Sequence, residues 1–435
     1  MNAGIGWSFT PGGSYSQLMA RQPKMVAAME AEVAGVEAIV ARLRRDPGAF
    51  ESPEALAAAT GLDVSRPAVS RLEELLRTHY HAPADELLQR QRIERAGRLL
   101  LAGERIDDVA GLVGYSDPVR FAKEFRHRMR LEPESYRDLP GSDAFELRLP
   151  SYFVTERVLS YLGRDPVSET ERVVGKTFTY GTHLGDEPLA VQVELGGRRA
   201  RCRIVAGGKS QRRACEAHAQ VLRLLGLVVD PRPFEYRSAD EPEIARLVAG
   251  RRGLTIPQTA ILFDALVWVI AGQQVSLPVA FALRRRLARR IGRKLGDGLH
   301  APPTVEQVAE LEPSDLHQAS FSRAKADFLL TLARAIVTGE LDLEELARCS
   351  ATTAERRLLA LRGIGPWSAN YLMMRALGFV DCVPIGDAAL TRNLKRFFDL
   401  EQRPDADATR QLMQPFAPHR SLATFHLWAL KEEAQ

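Results

Sequence analysis

The chain has 435 residues, enough for about two to four domains, and its 45% apolar and 26% charged residues are typical of a folded protein. No apolar run is long enough to cross a membrane, and the first residues lack a basic leader with an apolar core, so we expect neither a membrane protein nor a secreted one. The net charge of +4 does not by itself indicate a partner. The four cysteines are scattered without C-x-x-C spacing, and we expect reduced thiols in a cytoplasmic protein that has no zinc site.

The N-terminal third of the chain is helical. Residues 1–50 form a Gly/Ser-rich leader and a helix over 25–45, to which the sequence assigns no role. Residues 51–140 predict two helix-turn-helix units around a long helix over 84–102. Short helices end at Gly61 and Gly114, and a second helix follows each after a brief turn, as this motif requires.

The second unit carries Val113-Gly-Tyr115, Phe121, Phe125 and Pro133-Glu-Ser-Tyr136, and this stretch resembles the DNA-binding domain of AraC-type regulators. The apolar residues of this stretch are predicted to form the core of the unit. The resemblance implies that exposed polar residues contact DNA, chiefly Arg66, Arg71, Arg120, Lys123 and Arg126. The first unit departs from the pattern, with extra residues before its second helix and the acidic pair Glu73 and Glu74, which predicts a weaker grip on DNA.

The pattern changes over residues 144–231. Alternating apolar residues over 176–180, 189–193 and 200–205 predict strands, and Gly196-Gly197 predicts a hairpin between the last two. Helices over 153–164 and 211–225 flank them. A small α+β domain with an antiparallel sheet is the prediction.

Residues 232–435 are helical again. An arginine-rich run lies here, comprising Arg284, Arg285, Arg286, Arg289, Arg290, Arg293 and Lys294. Because no acidic residue occurs before Asp297, pairing within one helix cannot explain the run, and it predicts contact with DNA phosphates.

The most informative stretch is Leu361-Arg-Gly-Ile-Gly-Pro-Trp-Ser-Ala-Asn-Tyr371, with Asp387 beyond it. It predicts a helix, a turn at Gly363 and Gly365 where φ can be positive, and a second helix that begins at Pro366. Uncovered amides and a helix N-terminus at such a turn bind anions, of which the nucleic-acid backbone is one. Asp387 predicts a helix N-cap, a functional carboxylate, or both.

These residues resemble the signature of the helix-hairpin-helix DNA glycosylases, and the order of segments from residue 145 onward resembles the AlkA family. The resemblance implies that Asp387 is catalytic, that Trp367, Tyr371, Trp428 and Tyr161 form the pocket for a flipped base, and that Gln274 fills the gap left in the duplex. Plain core packing is the alternative for each aromatic residue. His419 and Leu422, where relatives often carry aromatic residues, predict a wider or more polar pocket.

Further expectations follow from the resemblance. Trp367 stands where lyase-active relatives have a nucleophilic lysine, which implies a monofunctional enzyme that leaves an abasic site. The C-terminal region has no four-cysteine motif, so no iron–sulfur cluster is expected, whereas carbonyls between Leu361 and Ile364 are expected to hold a monovalent cation. The expected partner is duplex DNA with alkylated bases such as 3-methyladenine and 7-methylguanine, bound by a monomer.

The sequence thus predicts a multidomain, mainly α-helical protein with four parts. These are a leader and helix (1–50), an AraC-type double helix-turn-helix domain (51–140), a small α+β antiparallel-sheet domain (144–231) and an all-α helix-hairpin-helix glycosylase domain (232–435). A transcription regulator whose glycosylase part only binds damaged DNA is the alternative function, and a protein that does both is a third.

Overall fold

The computed structural model describes residues 23–59 and 68–430. Its N-terminal domain consists of short helices around one long helix. The helices are α1 (Pro23–Arg45), α2 (Pro53–Ala58), α3 (Ala68–Tyr80), α4 (Ala84–Leu101), α5 (Ile106–Leu112), α6 (Pro118–Met129) and α7 (Pro133–Arg137). Helices α5 and α6 form the predicted second helix-turn-helix unit. Helices α2 and α3 of the first unit are also present, but residues 60–67 between them, with Gly61 and Arg66, lie outside the described residues.

Local sequence explains where these helices begin. The Ser52 hydroxyl accepts a hydrogen bond from the Ala55 amide at 3.3 Å at the start of α2, and Asp117 accepts one from Val119 at 2.8 Å at the start of α6. Helix α1 packs into the same apolar core as α3 and α4, through Val36, Val40 and other side chains. The predicted N-terminal helix is therefore a structural part of the first unit.

A five-stranded antiparallel sheet forms the second domain, in the order β1-β5-β4-β3-β2. The strands are β1 (Ala144–Arg148), β2 (Glu171–Val174), β3 (Thr177–Leu184), β4 (Glu187–Gly196) and β5 (Arg199–Gly207), with helices α8 (Thr155–Leu162) and α9 (Arg213–Leu224) beside them. The predicted strands are β3, β4 and β5, and Gly197 has a φ of 59° in the hairpin between the last two. Strands β1 and β2 complete the edges, and the sequence analysis missed both because they are short and mostly exposed.

The third domain is a bundle of helices around one large core. Its helices are α10 (Arg232–Tyr236), α11 (Pro242–Val248), α12 (Leu262–Gly272), α13 (Leu277–Ile291), α14 (Val305–Ala309), α15 (Pro313–Gln318), α16 (Arg323–Val337), α17 (Leu343–Arg348), α18 (Ala351–Ala360), α19 (Pro366–Leu372), α20 (Ala388–Phe397), α21 (Ala406–Met413) and α22 (Arg420–Trp428). The all-α prediction needs one correction. Strands β6 (Lys294–Gly296) and β7 (Leu299–His300) form a small hairpin, because Asp297 and Gly298 both take positive φ.

The first helix-turn-helix unit contacts the third domain directly. The Glu37 carboxylate accepts a hydrogen bond from the Ser350 amide at 3.1 Å, at the N-terminus of α18, and His79 Nδ1 lies 2.8 Å from the Thr352 hydroxyl. No helix in the described part of the chain combines the length and the apolar content of a membrane span.

Candidate active site

The predicted helical hairpin is formed by α18 and α19. Gly363 has a φ of 88°, and a Cβ at this position would overlap the ring of Phe328, so the turn requires glycine on both counts. Gly365 differs from the prediction, because its φ of −96° is open to any residue. Its lack of a side chain instead leaves open space in front of the first amides of α19.

Asp387 is the N-cap of α20, and its carboxylate is also held by two indoles. Oδ1 accepts hydrogen bonds from the Leu390 amide at 2.7 Å and from Trp428 Nε1 at 3.0 Å. Oδ2 accepts one from Trp367 Nε1 at 3.0 Å. The carboxylate is therefore fixed in orientation at the edge of an aromatic cluster, and the two interpretations of Asp387 are compatible.

The aromatic cluster brings together the predicted pocket residues. The ring centres of Trp367 and Tyr371 are 5.5 Å apart, and those of Tyr371 and Trp428 are 6.0 Å apart. Tyr161, from the sheet domain, packs on Phe425 at 5.1 Å. The cluster thus joins two domains at one cleft, next to the Asp387 carboxylate.

Two members of this region were missed by the sequence analysis. Phe425 precedes Trp428 by three positions on α22, and its ring lies 6.2 Å from the Trp428 ring. Arg375 follows Tyr371 by one helical turn, and its guanidinium lies 4.7 Å from the centre of the Tyr161 ring. Helical spacing from the recognised aromatic residues would have found both.

His419 and Leu422 both pack on the helical bundle, and the wider or more polar pocket stays a prediction. Leu422 is 1% exposed and belongs to the core of the third domain. The His419 ring packs against Phe234, with ring centres 5.9 Å apart. Leu422 is therefore a core residue, whereas His419 is half-buried beside Phe234.

The loop between α12 and α13 carries Gln274, the predicted wedge. Gln274 is exposed and has a φ of 53°, which is uncommon for a residue with a side chain. Its neighbour Gln273, which the sequence analysis did not single out, donates from Nε2 to the Gly363 carbonyl at 2.7 Å and to the Ser368 hydroxyl at 3.3 Å. The loop is therefore tied to the hairpin turn.

The predicted DNA-contacting residues of the N-terminal domain fall into two groups. Arg120 and Lys123 are exposed on α6 and form no ion pair with any residue that the structure describes. Arg126 is different, because it pairs with Glu132 at 3.0 Å. Arg71 is also engaged, with Glu74 at 2.9 Å and with Glu32 of α1. Both arginines are partly exposed, and their contact with DNA stays a prediction.

The arginine-rich helix α13 also departs from its prediction. Four of its guanidiniums form ion pairs with carboxylates of other elements, namely Arg284 with Asp264, Arg285 with Asp165, Arg289 with Glu169, and Arg290 with Asp315. Two of these carboxylates belong to the sheet domain. The run therefore fastens this domain to the helical bundle, and sequence spacing could not show it because the partners lie far away in the chain.

Known proteins resemble both parts of the chain. The family described as "HhH-GPD superfamily base excision DNA repair protein" matches residues 267–418, and the family "Helix-turn-helix domain" matches residues 58–138. A "DNA-3-methyladenine glycosylase" of Bacillus subtilis is 28% identical over 296 residues, which is 66% of this chain and 97% of that protein. A "probable bifunctional transcriptional activator/DNA repair enzyme AlkA" of Mycobacterium tuberculosis is 28% identical and covers 84% of this chain and 75% of its own length.

Solved structures share the fold of the two C-terminal domains. The 3-methyladenine DNA glycosylase of Archaeoglobus fulgidus superimposes with a TM-score of 0.57 at 20% identity, over 65% of this chain and 97% of its own. The Clostridium acetobutylicum 8-oxoguanine glycosylase/lyase superimposes with a TM-score of 0.53 at 16% identity, over 66% of this chain and 95% of its own. The chain therefore combines a domain of the HhH-GPD superfamily of base excision DNA repair proteins with an AraC-type helix-turn-helix domain.

Proposed function

We propose that this protein is a monofunctional DNA glycosylase that flips alkylated bases, such as 3-methyladenine and 7-methylguanine, out of duplex DNA and excises them by hydrolysis. One observation carries the proposal. The Asp387 carboxylate is held by Trp367 and Trp428 at 3.0 Å each, at the edge of the aromatic cluster. A fixed anion beside a stack of aromatic rings suits a reaction in which a cationic base leaves a sugar that becomes cationic.

The geometry gives each residue a role in this reaction. The flipped base lies against the rings of Trp367, Tyr371 and Trp428, whose electron-rich faces attract its positive charge. The N-glycosidic bond breaks, and its electron pair neutralises the leaving base. Positive charge then develops on the sugar, and the oriented Asp387 carboxylate stabilises it. Water adds to the sugar carbon and loses its proton, for which one acceptor site remains on Oδ2 of the carboxylate.

The indole of Trp367 supports the monofunctional part of the proposal. Its Nε1 holds Asp387, and a tryptophan at this position cannot form the imine that a lyase reaction needs. The product is therefore an abasic site in an intact backbone. The relatives named DNA-3-methyladenine glycosylase support the choice of alkylated purines as substrates.

The proposal also covers cofactors and location. The carbonyls of Leu361 and Gly363 each accept one hydrogen bond, from the Ile364 amide and from Gln273, so each retains a lone pair that fits a monovalent cation. When bound there, such an ion supplies positive charge next to the DNA backbone. All four cysteines are free thiols, which suits a cytoplasmic monomer with neither zinc nor an iron–sulfur cluster.

A second function is favoured by helix α6. Its exposed Arg120 and Lys123 present positive charge to solvent at the position of a recognition helix. One relative bears the name of a transcriptional activator joined to a repair enzyme. We propose that this unit holds the enzyme on DNA, and regulation of transcription by the same unit is the second candidate.

The test compares wild-type protein with Asp387→Asn on methylated duplex DNA. Asparagine is also a good N-cap, so the variant should fold, which thermal unfolding checks. We expect wild-type protein to release 3-methyladenine and 7-methylguanine and to leave alkali-labile sites, and the variant to be slower by about a hundredfold or more. DNA binding without base release by the wild-type protein would favour the regulator instead.

A further inference from the structure

A cavity lies between the sheet domain and the helical bundle, next to the aromatic cluster. The space inside it that can take atoms of a ligand has a volume of about 70 Å³, and the cavity opens to solvent. Tyr161 and Tyr371 belong both to its walls and to the cluster beside Asp387. These two rings therefore connect the cavity to the cluster.

Arg375 is the notable group in the cavity wall. Its side chain is almost completely buried, at 5% exposure, and neither Nε nor Nη1 has a hydrogen-bond partner among the described residues. Burial lowers the pKa of the guanidinium to about 9. Because a buried donor without an acceptor costs free energy, these two atoms are groups that a ligand would satisfy.

The carboxylates of the cavity do not compensate this charge. Asp264 forms an ion pair with Arg284 at 2.7 Å, and Asp165 forms one with Arg285 at 2.6 Å. Glu171 lies within electrostatic reach of Arg284, and burial raises the pKa of its carboxyl. The acidic groups of this wall thus serve the contact between the two domains.

Gln258 supplies a complementary group to the same cavity. Its side chain is 2% exposed, and its Oε1 has no donor in the part of the chain that the structure describes. The cavity therefore presents unsatisfied donors on Arg375 and an unsatisfied acceptor on Gln258. Together they match a ligand edge that carries a carbonyl oxygen beside an N–H group.

We propose that Arg375 and Gln258 form a specificity subsite that recognises the carbonyl and adjacent N–H of a flipped oxopurine, so that the enzyme prefers 7-methylguanine to 3-methyladenine. The proposal rests on the proposed glycosylase function. 7-Methylguanine carries O6 beside N1–H, whereas 3-methyladenine carries an amino group where the oxygen would be. If that amino group faces the guanidinium, two donors meet and neither has an acceptor. A polar site strongly disfavours a base that leaves its groups unpaired in this way.

The test measures both bases released from the same methylated duplex, by wild-type protein and by the variants Arg375→Met and Gln258→Leu. Both substrates are cationic, so repulsion by the guanidinium cancels in the ratio of their single-turnover rates. We expect each variant to lower the ratio of 7-methylguanine to 3-methyladenine release by about tenfold. Arg375→Lys, which keeps the charge but not the planar fork, should lower the ratio as well.

Arg410→Met is the matched control, because Arg410 lies in an exposed pair with Asp407 on α21 and its replacement should leave the ratio unchanged. Thermal unfolding of each variant checks folding. A ratio that is the same in all variants overturns the proposal.

A second measurement separates this proposal from the proposed function. Binding of the free bases, followed by quenching of tryptophan fluorescence, should favour 7-methylguanine in wild-type protein and lose that preference in Arg375→Met. If the wild-type protein releases neither base from DNA but still shows this preference, the glycosylase function fails and the subsite stands. Equal binding of both bases by the wild-type protein contradicts the subsite itself.

Discussion

Two regions of this molecule are suited to meet DNA, and they are built in opposite ways. In the cleft, the Asp387 carboxylate is held by hydrogen bonds from Trp367, Trp428 and a backbone amide. On α6, Arg120 and Lys123 extend into solvent. Chemistry on a flipped base needs groups fixed in advance, whereas attraction to phosphates works through charge and tolerates mobile side chains.

From this comparison we expect the rate of base release to fall most when the Asp387 carboxylate loses the hydrogen bonds that orient it. Trp428→Phe keeps an aromatic wall but removes the hydrogen bond from Nε1 to Oδ1 of Asp387. We expect the single-turnover rate of base release to fall by about tenfold, the value of one hydrogen bond to a charged group. The double variant with Trp367→Phe should fall further, by about a hundredfold.

Affinity for DNA with an abasic site distinguishes loss of orientation from loss of folding. This affinity should change little in the Trp428→Phe variant and in the double variant, because we do not expect the indoles to contact the DNA backbone. An unchanged rate of base release in the double variant would show that Asp387 needs no such support.

The next effect concerns the loop that carries Gln274. Gln273→Ala removes the hydrogen bonds to the Gly363 carbonyl and to the Ser368 hydroxyl, and so frees the loop from the hairpin. We expect base release from a fully paired duplex to slow by about fivefold to tenfold. A lesion opposite a mismatch is already poorly stacked, so its release should be less affected.

Gln274→Ala provides the comparison for this loop. It removes an exposed side chain that has no tie to the hairpin, and its effect should depend on the base opposite the lesion. If Gln273→Ala slows base release equally from paired and mispaired substrates, the hydrogen bonds from Gln273 to the hairpin contribute to bond cleavage and not to base flipping.

A smaller and qualitatively different effect is expected on α6. Arg120→Ala combined with Lys123→Ala should weaken binding to undamaged duplex and reduce the slope of log affinity against log salt by about 2. The rate of base release from bound, methylated DNA should stay the same. Arg128→Ala is the matched control on the same helix, because Arg128 is already paired with Glu124 at 2.6 Å and its loss should change the slope less.

The same contrast explains what the sequence could predict. The hairpin, Asp387 and the aromatic residues are encoded by local spacing, so the motif located the groups that form the cleft. The fate of individual arginines was not predictable, because Arg285 pairs with Asp165 across 120 positions and Arg71 pairs with Glu32 across 39. Arg375 lies one helical turn beyond Tyr371, so spacing could have located it, but its burial over the Tyr161 ring depends on packing between two domains.

The smallest predicted effect lies between the two regions, where the first helix-turn-helix unit contacts the hairpin. Burial raises the pKa of Glu37, but the hydrogen bond from Ser350, the nearby Thr353 side chain and the charge of Arg357 outweigh it and lower the pKa overall. A lowered pKa stabilises the folded state above the unfolded value and loses this contribution as the pH falls through the folded value. Glu37→Gln should therefore reduce the free energy of unfolding by at most about 1 kcal/mol at pH 7, and by less in acid. Denaturant unfolding of both proteins at pH 7 and below pH 4 measures the difference. An equal loss at both pH values would mean that the charge of the Glu37 carboxylate does not hold this unit on the hairpin.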